Sequence, residues 1–221
     1  MVQRLVTIVL FIFTTQAFAL VDMKNANYAE TWTDIMVPGT GYELRVQRTY
    51  NSRSLFNGLF GFGWCSDFET RLEVTAESNL MLTECGGGLE ITFTQKTAEN
   101  SKVDDTIKTI VGEVKRRNSD LSKKYFEDLE KELKDNNFLR DEYSRQLKMK
   151  GKVPTGTAFY ANGRDVENII MKNNEYVRTM PDGTYQKFNM DGRLTFLYDR
   201  TGNYLKLDWK TDQLTSVTDN N

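Results

Sequence analysis

Residues 192–199 read Gly192-Arg193-Leu194-Thr195-Phe196-Leu197-Tyr198-Asp199, and residues 212–219 read Asp212-Gln213-Leu214-Thr215-Ser216-Val217-Thr218-Asp219. The second stretch repeats the first at an offset of 20 residues, with Leu, Thr and Asp recurring in place and Val217 standing for Leu197. A fixed period of this size marks an architecture in which each unit buries its apolar face against the next. Between the copies, Tyr204-Leu205-Lys206-Leu207-Asp208-Trp209 alternates apolar and polar side chains, the pattern of a half-buried strand. Asn162-Gly163, Asp182-Gly183, Asp191-Gly192 and Thr201-Gly202-Asn203 supply compact turns between such strands. The last of these turns lie about ten residues apart, the spacing of successive short hairpins.

Working outward, the N-terminal half carries the same signature. Tyr42 to Tyr50 alternates, with Pro38-Gly39-Thr40-Gly41 before it and Asn51-Ser52-Arg53-Ser54 after it. Phe68 to Val74 and Leu80 to Thr83 read as strands, and Gly86-Gly87-Gly88 turns the chain into a further one over Leu89 to Thr94. The middle differs. From Glu99 to Lys150 the chain is densely charged and free of proline. Val103, Ile107, Ile110, Val111 and Val114 share one helical face, as do Leu121, Tyr125, Leu129 and Leu133. Asn118-Ser119-Asp120 and Asp135-Asn136-Asn137 offer breaks between helices, the second before Phe138, Leu139, Tyr143 and Leu147, and Gly151 a stop. The expected fold is mainly β, an antiparallel hairpin meander with an inserted α-helical segment, α+β by content. Its segments are 1–19 as a signal peptide, 20–98 as an N-terminal β domain, 99–151 as a charged helical insertion and 152–221 as a hairpin segment.

Composition removes several functions. The chain has no histidine, which excludes Ser-His-Asp and Cys-His catalysis and the commonest metal ligand. Two cysteines, Cys65 and Cys85, are too few for a Cys/His zinc site. A formal net charge of -2 gives no nucleic-acid footprint. Arg4, the apolar run from Leu5 to Phe13 and Ala17-Phe18-Ala19 form an export signal cleaved before Leu20; an uncleaved anchor is the alternative. The expected location is periplasmic, cell-surface or extracellular, with no membrane span once the signal is removed. In such a compartment Cys65 and Cys85 form a disulfide, or remain separate buried thiols.

Tyr198-Asp199-Arg200-Thr201-Gly202-Asn203-Tyr204-Leu205 resembles the YD-repeat of Rhs, teneurin and insecticidal-toxin shell proteins, in which a strand ends in Tyr-Asp and a Gly-Asn turn starts the next. Arg48-Thr49-Tyr50-Asn51-Ser52, followed by Gly61-Phe62-Gly63-Trp64, resembles the domain that precedes the repeats in bacterial Rhs proteins. The family-motif residues are therefore Arg48, Tyr50, Asn51, Ser52, Gly61, Gly63, Trp64, Tyr198, Asp199, Gly202 and Asn203. The helical stretch has no counterpart in the pattern, and the repeat breaks off at Asn220-Asn221. The resemblance implies the N-terminal section of a shell or surface component, non-enzymatic and without cofactor or metal. Its open sheet edge pairs with another copy or with a larger YD-repeat or toxin protein.

Two other readings exist. Trp64, Phe60, Phe62 and Phe68 line a carbohydrate- or protein-binding surface, or pack a β-core. Glu69 with Glu73, or Asp199 with Asp208, form a glycosidase pair; the matching of Asp199 by Asp219 points instead to a turn role. Gly86-Gly87-Gly88 lacks the following Lys-Ser/Thr of a phosphate loop. Lys115-Arg116-Arg117 reads as a solvated helix face, offset by Glu127, Asp128, Glu130 and Glu132. The helical stripe packs internally or docks a partner.

Overall fold

The computed structural model describes residues 19–22, 26–38, 41–84, 89–96, 100–164 and 166–220. The expected export signal up to residue 18, the glycine turn at 86–88 and Cys85 lie outside the described residues.

The first strands are β1 (Ala19–Asp22), β2 (Asn27–Val37) and β3 (Leu44–Asn51), then a small hairpin of β4 (Asn57–Gly58) and β5 (Gly61–Phe62), and β6 (Trp64–Ser66). They form a four-stranded antiparallel sheet in the order β1-β2-β3-β6, with β4-β5 beside it. A strand expected from Phe68 starts instead at Arg71, because Asp67–Glu69 forms a 3-10 turn. Glu69 holds that turn by accepting hydrogen bonds from Ser66 N at 2.9 Å and Ser66 Oγ at 3.1 Å.

The rest of the β-structure is one sheet. β7 (Arg71–Val74), β8 (Leu80–Glu84), β9 (Leu89–Gln95), β10 (Ala158–Tyr160), β11 (Asn168–Lys172), β12 (Glu175–Thr179), β13 (Tyr185–Phe188), β14 (Leu194–Tyr198), β15 (Tyr204–Lys210) and β16 (Gln213–Asp219) pair in chain order, all antiparallel. β9 pairs directly with β10, Phe159 facing Gln95, so the helices fill the connection between two adjacent strands.

The sheet curls until its first strand meets the turn before β14. Leu72 N donates to Gly192 O at 2.8 Å, and Arg71 bridges Arg193. Gly192 has φ +79°, and a Cβ there would overlap the Leu72 carbonyl. Two demands, left-handed backbone and backbone contact, fall on one residue. Alternate side chains point into the scroll; Leu72, Leu82, Phe93, Phe159, Ile169 and Phe188 are all buried in this core. Each such side chain contributes about 1.5–3 kcal/mol. Leu44 and Val46 of β3, with Tyr42 just before that strand, cover the same core.

The 20-residue repeat has a structural meaning here. β13 pairs β14 with a register shift that leaves Thr195 as an extra residue, and β15 pairs β16 with a shift that leaves Thr215 extra. Thr195 Oγ1 donates to Lys187 O at 3.1 Å and Thr215 Oγ1 to Asp208 O at 2.9 Å. Each repeat thus places a bulge in the same place on alternate strands, and bulges bend and twist a strand pair.

The helices are α1 (Asn100–Arg117), α2 (Lys123–Asp135) and α3 (Asn137–Gln146). Ile107, Ile110, Val114, Leu129 and Leu133 form their own core. Asn136 caps α3 through Leu139 N, whereas Ser122 rather than residues 118–120 caps α2. Leu121 and Tyr125, expected on an apolar face, are exposed, as is Phe138, and Gly151 does not stop α3, which ends at Gln146. Instead, Gly151 N donates to Thr75 O at 2.9 Å, against the β7–β8 turn.

Replacing Gly192 by Ala is expected to cost at least about 3 kcal/mol, because strain and collision combine. Gly202→Ala, at φ +93° with open space around it, is expected to cost about 1 kcal/mol. Urea unfolding of the two variants checks this, and equal costs would contradict the closure.

Candidate functional site

Arg48, Tyr50 and Trp64 meet where β3 pairs with β6. Tyr50 lies opposite Trp64, with ring centroids 5.2 Å apart. The Arg48 guanidinium sits 4.5 Å from the Trp64 ring centroid and its Nε lies 2.8 Å from Asp34 Oδ2. Asp34 is the extra residue of a bulge between Thr33 and Ile35 in β2. Gly63, at φ +77°, passes so close to the Tyr50 ring that a side chain would collide with it. Asn51 N donates to Gly63 O at 2.8 Å, and Asn51 Oδ1 accepts from Arg53 N at 3.0 Å. Ser52 N donates to Tyr28 O and Ser52 Oγ accepts from Tyr28 N, both at 2.9 Å. Gly61 turns the β4–β5 hairpin at φ +91°. The motif is a brace that ties β2, β3 and β6 together. Cys65, in the middle of β6, is disulfide-bonded.

The aromatic residues of the binding-surface reading point in different directions. Phe68 is buried in the core, Phe62 is exposed, and Arg48 covers a face of Trp64.

Tyr198, Asp199, Gly202 and Asn203 form one of a series of five-residue turns. In Met180–Thr184, Asn189–Arg193 and Asp199–Asn203, the first residue's N–H donates to the fifth carbonyl and the fourth residue's N–H donates back to the first carbonyl. The fourth residue is Gly183, Gly192 or Gly202, with φ +85°, +79° and +93°. This is the hairpin turn in which glycine takes the left-handed position. Asp199 Oδ1 accepts from Thr201 N and Oγ1, both at 2.8 Å, and from Asn203 N at 2.9 Å, while Oδ2 accepts from Asn203 Nδ2 at 2.8 Å. Tyr198 stacks on Tyr185 at 4.2 Å and meets Tyr204 at 5.3 Å, an aromatic ladder on the outer face. Thr75–Asn79 makes the same turn with Ser78 at φ +61° in the glycine position. Without a glycine it gave no sequence signal.

Sequence reasoning also missed a charged cluster at one end of the scroll. Arg178 follows Tyr176 on the inward face of β12 and is 3% exposed. Its Nε donates to Glu167 Oε1 at 2.5 Å, Nη1 donates to Gln186 Oε1 at 3.0 Å, and Nη2 pairs with Glu84. Arg164 Nη1 donates to Glu167 Oε2 at 2.9 Å. The signal was present as an arginine at an inward position of an apolar strand. Beside the cluster lies a cavity of about 580 Å³, bounded by Tyr42, Arg45, Asp67, Gln186, Leu197 and Leu205 among others. Burial raises the Asp67 carboxyl; Arg45 opposes and Glu84 adds to the rise. Burial also raises the Tyr42 phenol, with Asp67 and Asp199 adding to it.

The proposed glycosidase acids are engaged elsewhere. Glu69 Oε1 accepts from Leu59 N at 2.5 Å, and Glu73 lies 3.8 Å from Arg145 Nε. Asp208 pairs with Lys206 at 2.7 Å and accepts from Ser216 Oγ at 3.0 Å. Arg116 and Arg117 are paired by Glu113, inside α1. Among the described residues no group of His, Cys, Asp and Glu side chains is placed to hold a metal, and no helix is long and apolar enough to cross a membrane.

Residues 19–93 match a protein family described as a domain of unknown function (DUF6531). The match covers β1 to β8 and most of β9, including the whole Arg48–Trp64 brace. No curated protein matches the chain.

Arg178→Met leaves Glu167 buried without its main partner and is expected to cost about 3 kcal/mol. Adding Glu167→Gln is expected to recover part of that loss, read by urea denaturation as a double-mutant cycle. For Asp199, desolvation acts upward, but the hydrogen bonds from Asn203 and Thr201 outweigh it and hold the carboxyl at about 2 against an ordinary 3.8. A depressed carboxyl adds stability above its ordinary pKa and loses it as pH falls through the folded value. Asp199→Ala is therefore expected to lower Tm at pH 7, with the difference from wild type vanishing below about pH 2. An NMR titration midpoint near 3.8 would contradict the turn's role.

Proposed function

We propose that this chain is an exported, non-catalytic structural section of an Rhs/YD-repeat-like system, acting as part of a shell or surface array. The observation that carries the reading is the repeated bulge. Thr195 and Thr215 occupy equivalent places on β14 and β16, either side of β15, and each bonds back to the preceding strand. A unit of strand, turn with a left-handed residue (Gly192 in the first, Thr211 in the second) and bulged strand can be added repeatedly with the same curvature. The DUF6531 match over residues 19–93 and the Tyr-Asp turn at 198–203 support the same assignment from opposite ends of the described fold.

The activity on this reading is mechanical. β16 pairs with β15 on one side and with no strand on the other among the described residues. An unpaired strand edge is a template for another strand, so the partner is a second copy or a larger YD-repeat or toxin protein. Export places the chain in the periplasm, at the cell surface or outside the cell, where the Cys65 disulfide is stable.

Expression in a Gram-negative host is expected to yield an exported protein whose first residue is Leu20. Non-reducing peptide mapping is expected to find Cys65 joined to Cys85. Light scattering of that product is expected to show self-association, or a complex once a YD-repeat protein is added. A monodisperse monomer that binds no YD-repeat protein would overturn the reading.

A further inference from the structure

From Ser54 to Ser66 the chain carries no charged residue; charge returns only at Arg53 before this stretch and at Asp67 after it. Within it Leu55 is 86% exposed, Phe62 62%, Leu59 39% and Phe56 38%. β4 and β5 pair only with each other, Asn57 opposite Phe62 and Gly58 opposite Gly61. The residues that turn this hairpin are therefore Leu59 and Phe60. Asn, Asp and Gly ordinarily hold such places, because they suit the backbone of a tight turn. Large apolar side chains at the apex do not serve the turn, and neither belongs to the core of the scroll.

The hairpin is fastened from its base. Glu69 Oε1 accepts from Leu59 N at 2.5 Å while Oε2 accepts from Ser66 N and Oγ, so one carboxylate ties the apex to the 3-10 turn. A Cβ on Gly58 would overlap both this carboxylate and the Phe56 ring, and the glycine is what permits the approach. Ser54 Oγ accepts from Phe56 N at 3.2 Å, and Phe56 O accepts from Gly63 N at 2.8 Å. These backbone groups are satisfied within the loop itself, the condition for entering a medium without water.

We infer that this hairpin is an insertion loop that seats Leu55, Phe56, Leu59 and Phe62 at the headgroup–acyl boundary of a phospholipid bilayer. The inference goes beyond the shell reading and does not depend on it. An exposed apolar cluster marks a protein or a membrane contact, and the make-up of this one selects the membrane. Four partly exposed side chains on one short hairpin fall short of the roughly 800 Å² a side that a stable protein interface needs. Protein interfaces also ring an apolar centre with polar and charged groups, whereas residues 54–66 carry no charge at all, as hydrocarbon demands. The Glu69 carboxylate beside the apex is taken up by its hydrogen bonds. Phe and Leu are the residues with which peripheral proteins enter the acyl boundary.

The test is flotation of the purified exported protein with phosphatidylcholine vesicles, and with vesicles that also contain phosphatidylglycerol. The processed product starting at Leu20 is used, because the run from Leu5 to Phe13 is itself apolar. The protein is expected to float with both kinds of vesicle. Leu55→Asp and Phe62→Asp, at exposed positions and checked for unchanged thermal unfolding, are each expected to lower the partition coefficient at least about tenfold. Phe138→Asp, which removes an equally exposed ring on α3, is expected to leave it unchanged. A protein that stays with the soluble fraction, or hairpin variants that float like wild type, would overturn the insertion loop. Flotation confined to the phosphatidylglycerol vesicles and abolished by salt would overturn it as well, since surface charge would then carry the binding. If the hairpin variants float normally but abolish self-association in light scattering, the occupant is a second copy of the chain and the membrane assignment fails.

Discussion

The fold depends on one close approach of two backbones. Leu72 donates its N–H to Gly192 only because residue 192 has no side chain and accepts a left-handed φ. The neighbours of this bond on either strand, Leu72 itself and Leu194, are core residues, so closing the curl and burying its lining are one event. The region is also fastened from the far side. Trp209 Nε1 donates to Leu194 O at 2.7 Å, and Arg193 sits 5.5 Å from the Trp209 ring centroid while pairing with Asp212. The hairpin outside the closure thereby holds the strand that makes it.

Much of this was legible in the sequence, for a physical reason. Glycines at left-handed turn positions and apolar residues at alternate strand positions are local requirements, so Gly183, Gly192 and Gly202 and the strands around them could be read directly. The features that escaped depend on pairing. Nothing local in Leu-Thr distinguishes a bulged threonine from an ordinary one; Thr195 and Thr215 are identified only by what faces them across the sheet. Ser78 adopts the glycine conformation without the glycine, and Gln95 Nε2 and Gly151 meet it from distant parts of the chain. Arg178 looked like a charged residue in a strand until Glu84 and Glu167 were brought to it. Helical periodicity placed Leu121 on an apolar face, but α2 starts only at Lys123; Phe138 stands in the first turn of α3, where it is exposed.

The helical segment illustrates how a large insertion can leave a sheet undisturbed. Its flanking strands, β9 and β10, are neighbours, and its apolar residues satisfy one another. Contact with the sheet is made by specific polar groups. Arg140 Nη1 donates to Leu133 O at 2.7 Å, filling a carbonyl that the end of α2 leaves open, while its Nε donates to Glu77 at 2.6 Å in the β7–β8 turn. Arg145 lies between Glu73 and Glu90 on the outer face. Ion pairs of the helical segment thus form both within the helices and onto one side of the scroll.

The two motif sets that led to the family resemblance share a chemical character. Arg48 is held by Asp34 and Trp64, Ser52 by Tyr28, and Asp199 by four donors from Thr201 and Asn203. A carboxyl held at about 2 is a poor proton carrier near neutral pH, where general acid–base catalysis needs a pKa close to that of the medium. Its hydrogen bonds do something else: they fix the turn that delivers the next strand in register. Curvature set by Thr195 and Thr215, closure set by Gly192, and register set by Asp199 are separate local devices with one geometric result. Shape is what these residues determine, and for a protein whose proposed role is to enclose or display, shape is the part of function that a sequence motif has to preserve.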